Sequence, residues 1–297
     1  MTDVTTRAGM VTVVGKPNAG KSTLLNRLVG EKLSIVSEKP QSTRDRIVGI
    51  RTENGVQMVI LDTPGLLEPR YALHRAMRGA TLEALADADV VVYLVDASDG
   101  EPATLEEAAG LDRAPRAPVL VALNKVDLLT PERRNALAAR FPDALFISAA
   151  RGDDVERLVE TVAAQLPVSP YLYPEDEIST QTLRFFASEL VRETALEQLS
   201  EEVPYSLACE VEEFREDRSP VYIRAVLYLE RESQKRILIG AKGARIRDIG
   251  RVARGKIESL VGGPVYLDLW VKVLANWRKN PRSLDRFGYR IPEERRS

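Results

Sequence analysis

Residues 11–30, VTVVGKPNAGKSTLLNRLVG, read as a strand, a glycine loop of the form GxxxxGKS and a helix in direct succession. That context separates a phosphate-binding loop from an ordinary glycine-rich turn. The backbone of Gly15, Lys16, Pro17, Asn18, Ala19, Gly20 and Lys21 can curl around the α- and β-phosphates of a nucleoside triphosphate, and the helix N-terminus that Ser22 and Thr23 open adds its positive end. Lys21 is expected to reach the β- and γ-phosphates, and Ser22 to hold Mg²⁺ through its hydroxyl. Taken alone, the loop suits ATP and GTP equally.

Outward from the loop, short apolar runs alternate with helix-like segments: QMVILD, YALHRAMRGATLEALA, VVVYLVD, PVLVALNK, RRNALAARF and ALFIS. Apolar strands without polar alternation suit a parallel sheet covered by helices on both faces, so a doubly wound α/β domain is predicted. Ligands of such sheets bind at the carboxyl ends of the strands, where the next motifs mostly fall. The strand Met58–Asp62 ends in Asp62-Thr63-Pro64-Gly65. Asp62 is expected to hold Mg²⁺ through water, and Gly65 to offer its N–H to a γ-phosphate. The strand over 119–123 runs into Asn124-Lys125-Val126-Asp127. A carboxylate there can accept from both N1–H and the exocyclic amine of guanine, a pair of donors that adenine lacks. A buried carboxylate left unpaired is costly, so this motif selects GTP over ATP. Ser148-Ala149-Ala150 follows the strand over 144–147 and is placed to supply a backbone N–H to the guanine carbonyl, completing a pocket with Asn124 and Asp127.

The stretch QLPVSPYLYPEDEIST, residues 165–180, has three prolines and breaks the alternation. Domains are therefore expected over 1–168 and 181–297, the second including a C-terminal tail, with a linker over 169–180. The second half reads as a helix over 181–199, strands over 205–214 and 221–230, a short helix before Gly240, a longer helix over 244–261 and a strand over 265–273. This α-β-β-α-α-β order makes an α+β domain. Its two central helices are joined by a second glycine loop, IGAKGARI, at Ile239–Ile246. Gly240 and Gly243 permit close backbone approach, Ala241 and Lys242 lie between them, and Arg245, Arg247, Arg251 and Arg254 follow. A formal net charge of -2 conceals an asymmetry: residues 233–297 carry 16 Lys and Arg against 6 Asp and Glu, whereas the remainder is acidic. A basic back half points to a polyanion partner.

Cys209 is the only cysteine, which excludes a disulfide framework or a cysteine metal site within the chain and fits a reducing cytoplasm. The start, MTDVTTRAGM, reads as leading into a strand and not as a signal peptide. No apolar run approaches the roughly 18 residues of a membrane span. Peripheral contact of the basic surface with a membrane stays open. His74, the only histidine, is expected on a surface helix without a catalytic role. Trp270 and Trp277 read as packing residues first, with Trp277, in the basic tail, the better candidate to meet the polyanion.

The ordered nucleotide motifs resemble those of the translation-factor-related class of P-loop GTPases over roughly the first 165 residues. That resemblance implies that Thr43, in QSTRDR, is the switch I threonine whose hydroxyl and carbonyl meet Mg²⁺ and the γ-phosphate, with Ser42 second. Many GTPases place a glutamine after the DxxG turn to orient the attacking water. Leu66 stands there, and an apolar side chain cannot align water, so slow intrinsic hydrolysis is expected. In related GTPases with this substitution a P-loop asparagine helps bind a monovalent cation; Asn18 matches it, which would make K⁺ a further cofactor.

RILIGAKGARIRDIG resembles the KH motif, and the element order is that of the type II KH fold. The resemblance implies a GxxG loop that clamps the backbone of about four unstacked nucleotides, and favours RNA over DNA. Taken together, GKPNAGKSTLLN, PQSTRDRIVGI, DTPG, NKVD, PYLYPED, IGAKG and NWRKNPRSLDRFGY resemble the Era family of bacterial GTPases across almost the whole chain. Ala19 departs from the valine frequent in that family, at a position that contributes no needed side chain.

The family resemblance implies GTP, GDP and Mg²⁺ as ligands, single-stranded RNA at the 3′ end of 16S ribosomal RNA as partner, and a role for the monomer in assembly of the small ribosomal subunit. Nucleotide would act by ordering switch I around Thr43 and switch II over 65–78, repositioning the basic domain. Two alternatives stay open: an RNA-binding assembly factor in which nucleotide is mainly structural, and a GTPase associated with the inner membrane.

Overall fold

The computed structural model describes residues 5–37, 39–99 and 102–292; the first four and last five residues of the two domain spans lie outside them. The chain divides into two compact units. The first comprises the described residues up to Pro69 together with Met77–Thr180, and the second comprises Arg70–Ala76 and the described residues from Gln181 onward.

In the first unit the elements run β1 (Arg7–Val14), α1 (Lys21–Val29), β2 (Ile47–Glu53), β3 (Val56–Asp62), α2 (Ala72–Asp87, its first turn grouped with the second unit), β4 (Val90–Asp96), α3 (Leu105–Ala109), β5 (Val119–Asn124), α4 (Pro131–Arg140), β6 (Leu145–Phe146) and α5 (Val155–Gln165). The six strands form one sheet in the order β2-β3-β1-β4-β5-β6. All neighbours are parallel except β2 and β3, which pair antiparallel with Glu53 opposite Val56. Near-complete burial of β3 and β4 follows from coverage on both faces.

The antiparallel edge strand β2 was not among the strands predicted from apolar runs. Gly49 interrupts its pattern, and the reason is close packing: a Cβ there would lie 2.6 Å from Val29 Cγ2 and 2.7 Å from Leu25 Cδ1, so α1 presses directly on the strand. The hairpin to β3 is a two-residue Asn54-Gly55 turn with positive φ at both residues, 52° and 79°, as a turn matching strand twist requires.

Residues 169–180, expected to be a linker, form instead an ordered strap of the first unit. Gln57 is fully buried; its Oε1 accepts from Leu172 N at 2.7 Å and Tyr173 N at 2.9 Å, while Nε2 donates to Tyr173 O. Farther along, Ile50 N donates to Ile178 O and Ser179 Oγ donates to Val48 O, so the strap follows β2. One buried glutamine satisfies three backbone groups that burial would otherwise leave unpaired.

The second unit runs α6 (Leu183–Gln198), α7 (Val203–Ser206), β7 (Ala208–Arg215), β8 (Val221–Leu229), α8 (Glu232–Ile239), α9 (Ala244–Val261), β9 (Val265–Val273) and α10 (Pro281–Arg286). Its sheet has the order β7-β8-β9, antiparallel then parallel. Ala187, Val191 and Ala195 of α6 and Ile249, Ala253 and Ile257 of α9 recur every fourth residue and pack with Ile223, Ala225 and Leu227 of β8. This is the predicted α+β arrangement of a type II KH domain.

Trp277 packs, as first expected, but is no candidate for RNA, whereas Trp270 and His74 depart from expectation. Trp277 is completely buried, donates from Nε1 to Ser206 O at 2.8 Å and meets Phe287 edge-on, so it anchors the tail and has no face for a base. Trp270 on β9 is the exposed one, at 54%. His74 is buried and not on the surface: its ring lies on Tyr71 at 3.8 Å between centroids, and Nδ1 accepts from Arg70 N.

Candidate functional site

At the carboxyl end of β1 the loop and the first turn of α1 border an open cavity of about 300 Å³, closed from the other sides by Ile35–Ser37, Gln41–Thr43, Gly65 and Lys125. The position matches the strand-end rule for α/β sheets. Lys21 is buried, and Nζ donates to the carbonyls of Gly15 at 3.1 Å and Lys16 at 3.0 Å. Burial pushes its pKa down to about 8, against the opposing charge of Asp62. Asn18 lines the same cavity from a left-handed backbone conformation, φ 63°.

Three oxygen-bearing residues predicted for the metal converge. Ser22 Oγ donates to Asp62 Oδ2 at 2.8 Å, and Thr43 Oγ1 lies 3.0 Å from Ser22 Oγ and 3.4 Å from Asp62 Oδ2. Thr43, not Ser42, is the buried member of its pair. Asp62 is fully buried, which raises its carboxyl pKa against the lowering effects of Lys21 and the three hydroxyls of Ser34, Ser22 and Thr43. Its Oδ1 is buried with no hydrogen-bond partner among the described residues. Hydroxyl and carboxylate oxygens are what Mg²⁺ takes, directly or through its waters, and an unmatched buried oxygen fits that use.

On the other side of the loop, Asn124 ties two motifs together. Its Nδ2 donates to Ala19 O at 2.8 Å and its Oδ1 accepts from Ala149 N at 2.9 Å. The N–H of Ala149 is thereby occupied, so the donor for a guanine carbonyl would be that of Ala150. Asp127 presents a second unmatched buried oxygen, Oδ1, while its Oδ2 lies 4.0 Å from Arg151 Nε. Lys125, at φ 65°, donates to Asp96 Oδ2 at 2.6 Å. Burial alone would raise Asp96, yet the bonds from Lys125 and Ser98 hold it below the usual carboxylate range. Thr63 turns away, its Oγ1 donating to Val13 O, and Pro64 O accepts from Thr81. Leu66 is bound by its backbone to Gly15 O, and its side chain packs against the core around Val14, Leu85 and Tyr93.

In the second unit the GxxG loop follows α8. Gly240 has φ 73° with ψ 178°, Lys242 is left-handed at φ 49°, and Gly243 at φ 76° opens α9. The first combination is open only to glycine. Ala241 and Lys242 are exposed and Ile239 is half-buried. Arg245 Nη1 donates to Ile237 O and Arg247 Nη1 to Lys242 O, so both predicted RNA-binding arginines also brace the carbonyls that flank and line the loop.

A family model described as 50S ribosome-binding GTPase matches residues 10–125, and one described as KH domain matches residues 202–278. GTPase Era of Ectopseudomonas mendocina is 42% identical over 301 residues, covering 97% of this chain and 99% of its own. GTPase Era of Geobacter metallireducens is 42% identical over 297 residues, covering 97% of this chain and 100% of its own. This chain belongs to the Era family of GTPases. Among solved Era structures, one in complex with MgGDPNP and nucleotides 1506–1542 of 16S ribosomal RNA matches with a TM-score of 0.89 at 38% identity, covering 96% of this chain and 99% of that one. A single-residue variant of Aquifex aeolicus Era bound to GDP and AlF4⁻ also gives 0.89 and 38%, covering 95% and 99%.

Three residues of this Era-family site were missed in the sequence. Arg27 on α1 donates from Nε to Ala149 O and from Nη2 to Ala150 O, bracing the loop that faces the base. Asn26 and Ser34 hold the entry to switch I. Asn26 lies one turn after Ser22 on the same helix face, which was an available signal; Arg27 and Ser34 carry none without the fold.

The depressed pKa of Lys21 gives a pH prediction. A bound triphosphate restores the ammonium form, so binding takes up a proton wherever the free protein has lost it, at and above about pH 8. Affinity for GTP is expected to be flat below that value and to fall as pH rises through it. Calorimetry in two buffers of different ionisation enthalpy should show little proton uptake at about pH 7 and clear uptake at about half a unit above the Lys21 pKa. Equal uptake at both would exclude a depressed Lys21.

Proposed function

We propose that this GTPase is a slow, guanine-specific switch that binds single-stranded RNA at the 3′ end of 16S ribosomal RNA and acts, as a cytoplasmic monomer, in assembly of the small ribosomal subunit. The reading is carried most by the presence in one chain of two unmatched buried carboxylate oxygens in the first unit, on Asp62 and Asp127, and a braced GxxG loop in the second. The solved Era complex with MgGDPNP and 16S nucleotides supplies the matching pair of ligands.

In this reading residues 1–168 form the nucleotide domain and 181–297 the RNA domain. Asp127 takes the guanine N1–H and amine, Lys21 the β- and γ-phosphate oxygens, and Gly65 N–H the γ-phosphate. Ser22, Thr43 and Asp62 would hold Mg²⁺, which when bound neutralises charge developing on the phosphates. Leu66 is turned into the core, so no side chain after the DxxG turn orients water. Asn18 would help hold a K⁺ ion, whose charge would offset part of that loss. Nucleotide and RNA favour one conformation in common, and linkage then requires each to tighten the other by the same factor.

Steady-state hydrolysis in KCl and in NaCl, with and without an RNA of nucleotides 1506–1542, the segment in the solved Era complex, tests this. Slow turnover, stimulated several-fold by the RNA and by K⁺, is expected. No RNA effect would favour the binding-factor reading, and no cation effect would remove Asn18 from the mechanism. No described helix is long and apolar enough to cross a membrane. Binding to anionic vesicles that survives Lys242→Asp would support the peripheral membrane reading.

A further inference from the structure

Ser34 is 1% exposed and is assigned no role by the nucleotide motifs. Its Oγ donates to Asp62 Oδ2 at 2.7 Å, the same oxygen that accepts from Ser22 at 2.8 Å and lies 3.4 Å from Thr43 Oγ1. With those hydroxyls gathered on Oδ2, Oδ1 is left buried without a partner among the described residues. Ser34 thus holds the carboxylate at the oxygen on which the two hydroxyls expected to meet the metal converge. Of the three hydroxyls, those of Ser22 and Thr43 are themselves expected to turn to the metal. Ser34 is anchored independently of any ligand: Asn26 donates from Nδ2 to Ser34 O at 2.8 Å, and its Oδ1 accepts from Leu33 N at 2.9 Å and Ser34 N at 2.8 Å. All three of those bonds come from α1, the helix that also carries Lys21 and Ser22.

We infer that Ser34, fixed by Asn26, is a positioning residue that holds the Asp62 carboxylate against the Ser22 and Thr43 hydroxyls, and so sets how strongly Mg²⁺ retains bound nucleotide. A hydroxyl donor to a charged carboxylate in a buried site contributes enough that its loss weakens the metal's hold by about tenfold. Ser34 touches no phosphate in this scheme, so nucleotide retention without Mg²⁺ is independent of it. The inference rests on the reading of Asp62 as a metal-shell carboxylate.

Release of a fluorescent GDP analogue from the full-length protein, followed over a range of free Mg²⁺ and in excess EDTA, tests it without recourse to turnover. Ser34→Ala is expected to raise the Mg²⁺ concentration that half-slows release by about tenfold, with the rate in EDTA within about twofold of the unsubstituted protein. Asn26→Asp, which keeps the acceptor for Leu33 N and Ser34 N but not the donor to Ser34 O, should shift the Mg²⁺ dependence in the same direction and by less. Ser34→Thr, which keeps the hydroxyl, should restore it. An unchanged Mg²⁺ dependence in Ser34→Ala overturns the inference, as does a rate in EDTA that rises as much as the rate in Mg²⁺, which would mark a merely structural residue. Mg²⁺-independent release from the unsubstituted protein would instead overturn the Asp62 reading beneath it.

Discussion

Asp127→Asn is expected to cost this protein its guanine nucleotides and to let it accept xanthine nucleotides. Asp127 Oδ1 is buried with no partner among the described residues, and its neighbour Arg151 reaches only to 4.0 Å from Oδ2. Guanine brings two donors, N1–H and the 2-amine, to a carboxylate that can only accept. The asparagine amide turns one of those contacts into donor against donor. Hydrogen bonds to a charged group contribute about 1.5–3 kcal/mol each, so loss of the pair should weaken GDP binding by about a hundredfold or more. Xanthine carries a carbonyl in place of the 2-amine, which the amide N–H₂ can serve while its oxygen accepts from N1–H. Calorimetric titration with GDP and XDP decides the matter: a preference inverted toward XDP is expected. A GDP affinity within about tenfold of the original would show that Asp127 does not read the base. The fold should survive, because Asn124, and not Asp127, carries the structural bonds between the phosphate loop and the Ser148-Ala149-Ala150 loop.

Why Asp127 could be named from sequence and Ser34 could not is a matter of where the chemistry lies. Lys21, Asp62, Asn124 and Asp127 each stand in a contiguous motif at the end of a strand, where local backbone geometry and ligand chemistry together restrict the residue type. Ser34 acts on a carboxylate 28 positions away, and Arg27 on carbonyls more than a hundred positions away, and neither neighbourhood exists before β1, β3 and β5 are assembled into one sheet. The edge strand β2 was obscured because Gly49 yields its side chain to close packing by α1, weakening the pattern that apolar runs provide. The strap over 169–180 carries proline enough to read as a linker, and the groups that hold it, the buried Gln57 amide and the backbone of β2, lie far off in sequence. Trp277 reads as a packing residue first, and only its basic tail made it the better candidate for RNA. Its indole is instead the centre of an aromatic contact with Phe287 and Tyr289, which burial against Ser206 O makes obligatory.

Lys242→Asp is expected to abolish most RNA binding and leave nucleotide binding intact. Lys242 is the exposed cation between the two glycines of the loop, and its own carbonyl is held by Arg247 Nη1 at 2.8 Å, so the backbone of the clamp is set by neighbours and not by the lysine side chain. Lys242 is also left-handed, at φ 49°. Aspartate tolerates that conformation better than most residues, so the replacement should not unfold the loop. What changes is a swing of two charges where a phosphodiester would lie. For single strands each neutralised phosphate contributes about 0.7 to the slope of log affinity against log salt. The variant should therefore bind a single-stranded 16S 3′-end RNA at least about tenfold more weakly in moderate salt, with a salt slope shallower by about 0.7 or more. Lys242→Ala should fall between the two, because it removes one charge without adding repulsion. Fluorescence anisotropy over a series of KCl concentrations measures both quantities, and GDP titration of the same sample controls for folding of the first unit. An unchanged slope with unchanged affinity would move the RNA contact off this loop and onto another surface of the second unit, of which the exposed Trp270 face of β9 is the first to test.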